Sequence, residues 1–198
     1  SMAQWEALRP QLAALRYPVI AKPNHGGSSM GIRSTSRAAS LAALREPVAW
    51  ILDHCADSAL VEEFVFGREF TVGLLARPDL KVLPIGELRI GSATPDSFYP
   101  HELKITHDRE FVCPADVPDE LVDRMSDYAR RVFHVLGCRD VARVDFRVGT
   151  DGVPYLLEIN PIPGLTPYGS ALPMLAQAAG ITPEEVLHTM VHNALHAR

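Results

Sequence analysis

The three cysteines, Cys55, Cys113 and Cys138, contain no Cys-x-x-Cys pair, and so odd and scattered a set offers neither a disulfide framework nor a zinc site. Thiols of that kind belong in a reducing compartment, and cytoplasm is the expected location. No apolar run approaches the roughly 18 residues that cross a bilayer, so a membrane protein is not expected. No basic tract offsets the formal charge of -5, which removes nucleic-acid backbones and anionic membranes from the expected partners. The first residues lack the basic start and apolar stretch of a secretory signal. Ser1 ahead of Met2 has the look of a remnant left by a cleaved tag, and the native chain is expected to be longer. Internal repeats, charge blocks and low-complexity linkers are also missing. What remains is 198 residues, 47% hydrophobic and 22% charged, enough for one substantial core or two small ones.

The most informative stretch covers residues 143–164, R-V-D-F-R-V-G-T-D-G-V-P-Y-L-L-E-I-N-P-I-P-G. Two runs of alternating, β-favouring residues flank Asp151-Gly152, a pair that tolerates the positive φ of a two-residue hairpin turn. Such a turn sets Thr150 against Val153, and counting back sets Asp145 opposite Glu158 and Arg143 opposite Asn160. Polar residues then share one face, while Val144, Phe146, Val148, Tyr155, Leu157 and Ile159 take the other, toward a core. Two carboxylates directly opposed on neighbouring strands repel unless positive charge lies between them. Arg143 and Arg147 could supply it on a salt-bridged surface. Alternatively, a divalent cation is held by Asp145, Glu158 and the amide oxygen of Asn160, an all-oxygen set suited to magnesium. The exit through Pro161-Ile162-Pro163-Gly164 cannot join a ladder and must pass over the sheet end as a shaped loop, which favours a substrate pocket.

Upstream, residues 3–15 predict a helix, short or broken at Pro10, and residues 17–21 a strand that delivers Lys22 and stops at Pro23. The loop at 24–31, N-H-G-G-S-S-M-G, can bring backbone N–H groups and two hydroxyls close to an anion. It lacks the Gly-Lys-Ser/Thr ending of a Walker A loop, and a mobile turn beside a surface lysine is the competing reading. Residues 37–54 predict a helix disturbed at Pro47, and 59–66 a strand with Glu62 and Glu63 in its middle. Adjacent strand residues point to opposite faces, so one carboxylate aims inward unless this is an edge with both wet. Gly67-Arg68-Glu69 reads as a turn into a strand at 70–75, and a further strand runs from Lys81 through Gly86 to Ile90. Regular signals vanish at 91–108. A loop of that length holding Tyr99, His101, Lys104 and His107 suits an ordered lid, with Lys104 the better functional candidate. A strong helix signal spans 118–136, and a last helix starts at Thr182.

Taken together, Y-P-V-I-A-K-P-N-H-G-G-S-S-M-G-I at 17–32, L-V-E-E-F-V-F-G-R-E-F-T-V at 60–72, F-Y-P-H-E-L-K at 98–104 and L-L-E-I-N-P-I-P-G-L-T at 156–166 resemble the D-alanine:D-alanine ligases of the ATP-grasp superfamily. The resemblance covers nearly the whole chain from Tyr17 onward. It implies an α+β ATP-grasp fold whose two subdomains grip a nucleotide between antiparallel sheets, the smaller over residues 1–66 and incomplete at its N-terminus, the larger over 67–198 with the metal site. It further implies that Lys22 and the loop with Ser28 and Ser29 contact ATP phosphates. The strand bearing Glu62, Glu63, Phe64 and Val65 would line the adenine pocket, and Glu69 would bind ribose. Lys104 would reach the transferred phosphate, Asp145, Glu158 and Asn160 would hold two magnesium ions, and Arg143 with N–H groups near Gly164 would stabilise an oxyanion. Ser170 is the match to a serine that contacts the second substrate.

The implied chemistry joins two small amino acids. ATP converts one carboxylate to an acyl phosphate, and an amine then displaces phosphate. Three departures from the family pattern stand out. An N-terminal domain that holds the first amino acid, together with a further phosphate-binding lysine, would lie before Ser1, supplied in cis or by a partner in trans; a homodimer is compatible with the resemblance. His101 stands where these ligases commonly carry tyrosine, and the loop at 166–170 is one residue longer than usual. The alternative reading is an ATP-binding module with a regulatory or structural role and no turnover.

Overall fold

Apolar residues gather in separate clusters that build two units, one containing Ser1–Val65 and the other containing residues 66–90 and Arg109–Arg198. The computed structural model describes residues 2–76, 79–90, 109–167 and 169–196. The expected lid at 91–108, with His101 and Lys104, lies outside the described residues.

In the first unit, α1 (Met2–Ala13), β1 (Val19–Pro23), β2 (Arg37–Ala38), α2 (Leu41–His54) and β3 (Ala59–Glu63) surround a core of Trp5, Val19, Ala21, Ala38, Leu44, Val48 and Ile51. The sheet order is β2-β1-β3, all antiparallel. Helix α1 runs through Pro10 without the expected break. Pro10 is exposed, so the carbonyl it leaves unpaired faces water and the cost stays local. The helix expected from residue 37 begins only at Leu41, because the Ser40 hydroxyl caps it by accepting the Ala43 N–H at 3.3 Å, while Arg37 and Ala38 pair with β1. The strand expected over 59–66 stops at Glu63.

The second unit contains β4 (Gly67–Ala76), β5 (Leu80–Val82), β6 (Gly86–Ile90), β7 (Arg109–Val112), α3 (Asp119–Val135), β8 (Val141–Gly149), β9 (Pro154–Asn160), α4 (Ala171–Ala178) and α5 (Pro183–His196). The sheet is antiparallel with order β7-β6-β4-β8-β9, and β5 also pairs with β4. The expected turn at 67–69 is already strand. Gly67 adopts φ 157 and lies so close to the Val148 carbonyl that any side chain there would overlap it. The single strand expected from Lys81 to Ile90 is two, β5 and β6, both paired with β4. One sheet face, with Phe70, Val72, Leu74, Val144, Phe146 and Val148, packs on Met125, Ala129 and Phe133 of α3. On the other face, Leu75 and Val141 pack on Leu172 and Leu175 of α4 and Val186 of α5, with Phe111 of β7 against the same cluster.

The β8–β9 hairpin carries the expected pairs, Asp145 with Glu158 and Arg143 with Asn160, but reaches them by a different route. The loop has three residues, 150–152, rather than two. Gly149 N–H donates to the Val153 carbonyl at 3.0 Å, and the pairs above it are Val148 with Pro154, Arg147 with Tyr155 and Phe146 with Leu156. A bulge between Asp145 and Phe146 then takes up Leu157 and restores the register. Tyr155 and Leu157 therefore do not join the core face. Tyr155 stands beside Arg147, and Tyr155 and Leu157 are exposed, at 41% and 38%.

Candidate functional site

Because side chains alternate along a strand, the register of β4, β8 and β9 decides which groups meet. Thr71 pairs with Asp145, Glu69 with Arg147 and Gly73 with Arg143, so Glu69, Thr71, Arg143, Asp145, Arg147, Glu158 and Asn160 share the polar face. Asp145 is its hub. Its Oδ1 accepts the Thr71 hydroxyl at 2.6 Å and Arg143 Nε at 2.9 Å, and its Oδ2 accepts Arg143 Nη2 at 2.8 Å and Asn160 Nδ2 at 3.1 Å. Asn160 Nδ2 also donates to Glu158 Oε1 at 3.0 Å, and Arg143 Nη2 lies 3.9 Å from that oxygen. Arg147, almost wholly buried, donates to Glu69 Oε2 at 3.5 Å.

This arrangement balances charge unevenly. Burial alone would lower the Arg143 pKa, yet its hydrogen bonds to Asp145, with the further charges of Glu158 and Glu69, raise it on balance. Glu69 goes the other way for a carboxylate. Burial pushes it up to about 7; Arg147 draws it back, but Asp145 and Glu158 add to the rise. Three carboxylates thus share two guanidinium groups among the described residues of this face.

The donor set fits a hard divalent cation. Asp145 and Glu158 each place an oxygen within 3.1 Å of one atom, the Asn160 amide nitrogen. Turned end for end, the same amide presents its oxygen to that point, giving three protein oxygens. Among the described residues no three His, Cys, Asp or Glu side chains gather to hold a metal, so this set of two carboxylates and an amide would leave the other ligand positions to oxygens from outside the protein. Gly164 lies against Ser170, since a β-carbon there would fall 2.6 Å from Ser170 Oγ. Thr71 was not foreseen. Its only sequence signal is its place two residues after Glu69 in a strand, which fixes the face but not the partner.

The first unit places its candidates on a different surface. Lys22 and Glu62 project from one face of the sheet and pair at 2.5 Å. Glu63 points to the opposite, core-facing side at the sheet's end, where Arg16 meets it with Nε at 3.0 Å, Nη2 at 2.7 Å and its backbone N–H at 3.0 Å. Those hydrogen bonds hold the Glu63 carboxyl below the usual range. Phe64 is buried with the Arg37 guanidinium over its ring, and Val65 is half-buried. Ser28 and Ser29 both take left-handed backbone angles, φ 57 and 55.

A family model described as D-ala D-ala ligase C-terminus matches residues 1–192. The D-alanine--D-alanine ligase of Marinobacter nauticus is 40% identical over 185 residues, covering 93% of this chain and 53% of that protein. The D-alanine--D-alanine ligase of Pediococcus pentosaceus is 36% identical over 187 residues, covering 94% and 50%. The chain thus spans about half the length of the curated relatives it matches. Among solved structures, the D-alanine--D-alanine ligase from Bacillus anthracis complexed with ATP superposes with TM-score 0.71 at 27% identity, over 90% of this chain and 53% of that one. VanG D-Ala:D-Ser ligase from Enterococcus faecalis shares the fold, with TM-score 0.76 at 24% identity over 96% and 53%.

Proposed function

The chain belongs to the D-ala D-ala ligase C-terminus family, with the ATP-grasp fold, and from that premise we propose that it is the nucleotide- and metal-binding part of an ATP-dependent carboxylate-amine ligase. The observation that carries this reading is the convergence of Asp145, Glu158 and Asn160 on one point beside Arg143. Residues 1–66 act as the smaller ATP-grasp subdomain and 67–198 as the larger. Lys22 and the Ser28-Ser29 loop receive the ATP phosphates, residues 62–65 receive the base and Glu69 the ribose. Asp145, Glu158 and Asn160 hold two magnesium ions, which supply positive charge to the phosphate oxygens.

A carboxylate does not react with an amine at neutral pH, so the reaction runs in two steps. The carboxylate oxygen of one amino acid takes the terminal phosphoryl group of ATP, giving an acyl phosphate and ADP, with Lys104 neutralising the transferred group. The amine of a second amino acid then attacks the acyl carbon. Arg143 and N–H groups near Gly164 receive the charge that develops on its oxygen, Ser170 orients the second substrate, and phosphate leaves as the peptide bond forms. The first amino acid is held by a domain outside this chain, in cis or in trans. A module that binds ATP without turnover is not favoured, because the matched relatives are named as ligases.

Calorimetric titration of ATP into the chain, with and without magnesium, tests the reading. Magnesium-dependent binding is expected, and Glu158→Gln should abolish the dependence while leaving the fold intact, since that side chain is half exposed. Binding by Glu158→Gln with the native magnesium response would refute the metal assignment. ADP release with a panel of D- and L-amino acids then identifies the pair that is joined.

A further inference from the structure

The loop at 24–31 contains a feature its composition does not explain. Met30 N–H donates to the Gly27 carbonyl at 3.0 Å with Ser28 and Ser29 both at positive φ, which is a type I′ turn. That turn favours Asn and Gly at its central positions, and two consecutive L-serines there are strained. Such a conformation persists only when the surroundings impose it, and the surroundings here are specific. The Asp57 carboxylate, 15% exposed, accepts the backbone N–H of His25 on Oδ2 at 2.6 Å and faces the His25 ring Nδ1 with Oδ1 at 3.0 Å. Oδ1 also accepts the Ser58 N–H at 2.7 Å, and Asn24 N–H donates to the Ser58 carbonyl at 2.9 Å. At the far limb, Gly31, φ 76, sits against Pro23 and Cys55 so closely that a side chain would displace them.

We propose that Asp57 is a positioning residue for the phosphate loop: through His25 it ties the near limb of the loop to the turn before β3, so that the strained Ser28-Ser29 turn stands preformed for the phosphates of the nucleotide. This rests on the reading of Ser28 and Ser29 as phosphate contacts given above. Asp57 itself touches no ligand; it acts through the backbone and ring of His25. Preforming the loop spares the nucleotide the entropy of ordering it, and the benefit falls on the phosphates, not on the base.

The test combines amide hydrogen exchange over residues 24–31 in the nucleotide-free chain with the affinities of ATP, in magnesium, and of adenosine. For Asp57→Ala the expected results are loop exchange at least about tenfold faster, ATP binding weaker by about tenfold and adenosine binding unchanged. Asp57→Asn keeps one carbonyl acceptor and should fall between; it also decides the matter if the alanine variant does not fold. Unchanged exchange, faster exchange with native ATP affinity, or equal losses for ATP and adenosine would each overturn the proposal. A native chain that does not bind ATP at all would bring down the parent reading, and this one with it. Native ATP binding that Asp57→Ala leaves intact sinks only the role of Asp57.

Discussion

The polar surfaces of the two units solve charge in opposite ways. In the first, each carboxylate described here has one basic partner: Glu62 with Lys22, Glu63 with Arg16, Asp57 with His25. In the second, Glu69, Asp145 and Glu158 share Arg143 and Arg147, and the surplus negative charge is concentrated on a partly buried sheet face. A one-to-one pair at the surface can release its cation to an incoming anion, because water screens the carboxylate left behind. A surplus of carboxylates in partial burial has no such relief and is eased by an added cation. This difference in pairing supports the proposal of phosphate at the first surface and metal at the second.

The contrast breaks most sharply at Asp145. Asp145→Ala leaves Arg143 without its main partner, Thr71 without an acceptor and Asn160 with Glu158 as its one acceptor among those named. We expect a loss of about 3 kcal/mol in urea unfolding of the metal-free protein, together with loss of magnesium-dependent nucleotide binding. A stability loss near zero would mean that the hub carries no structural weight. A second effect sharpens the comparison through pH. The Glu69 carboxyl is pushed to about 7 in the fold, against an ordinary 4.5, so the folded chain binds this proton more tightly than the unfolded one. The resulting stability is complete below pH 4.5, declines as pH rises, and is gone above about 7. Glu69→Gln should match the native protein near the acid end and exceed it above neutrality by on the order of 1 kcal/mol; melting curves across that range would read it, and parallel curves would contradict it. The smallest effect belongs to the first unit. Glu62→Ala should cost less than about 1 kcal/mol while leaving Lys22 available to phosphate, whereas Lys22→Met should leave stability similarly untouched and weaken ATP binding by about tenfold. A large melting shift in either variant would place this pair in the same class as Asp145.

Much of this was legible in the sequence because alternation and turn chemistry are local. Residues 143–164 announced two strands, a shared polar face and the pairs Asp145–Glu158 and Arg143–Asn160. The bulge at Leu157 was not legible, since it is a property of two paired strands and leaves no mark in the composition of either. Its effect was to turn Tyr155 onto the polar face. Thr71 was hidden for the same reason: its role depends on β4 lying beside β8, a neighbour 74 residues away. Pro10 misled because a proline is judged by the bond it removes, and here that bond faces water. Asp57 carried no signal, as a lone aspartate ahead of a strand is ordinary until the His25 N–H is seen against it.

The three-residue loop and the bulge in the β8–β9 hairpin also constrain how this hairpin can change length. Each is a place where one residue can be lost without disturbing the paired strands on either side. Deleting Leu157 removes the bulge and sets Asp145–Glu158 directly after Phe146–Leu156, and deleting Thr150 shortens the loop beyond the Gly149–Val153 contact to two residues, so Glu158 keeps its face in both cases. Gains and losses of residues in this hairpin are therefore expected at these two places, and related hairpins are best aligned inward from Arg143 and Asn160, not outward from the turn.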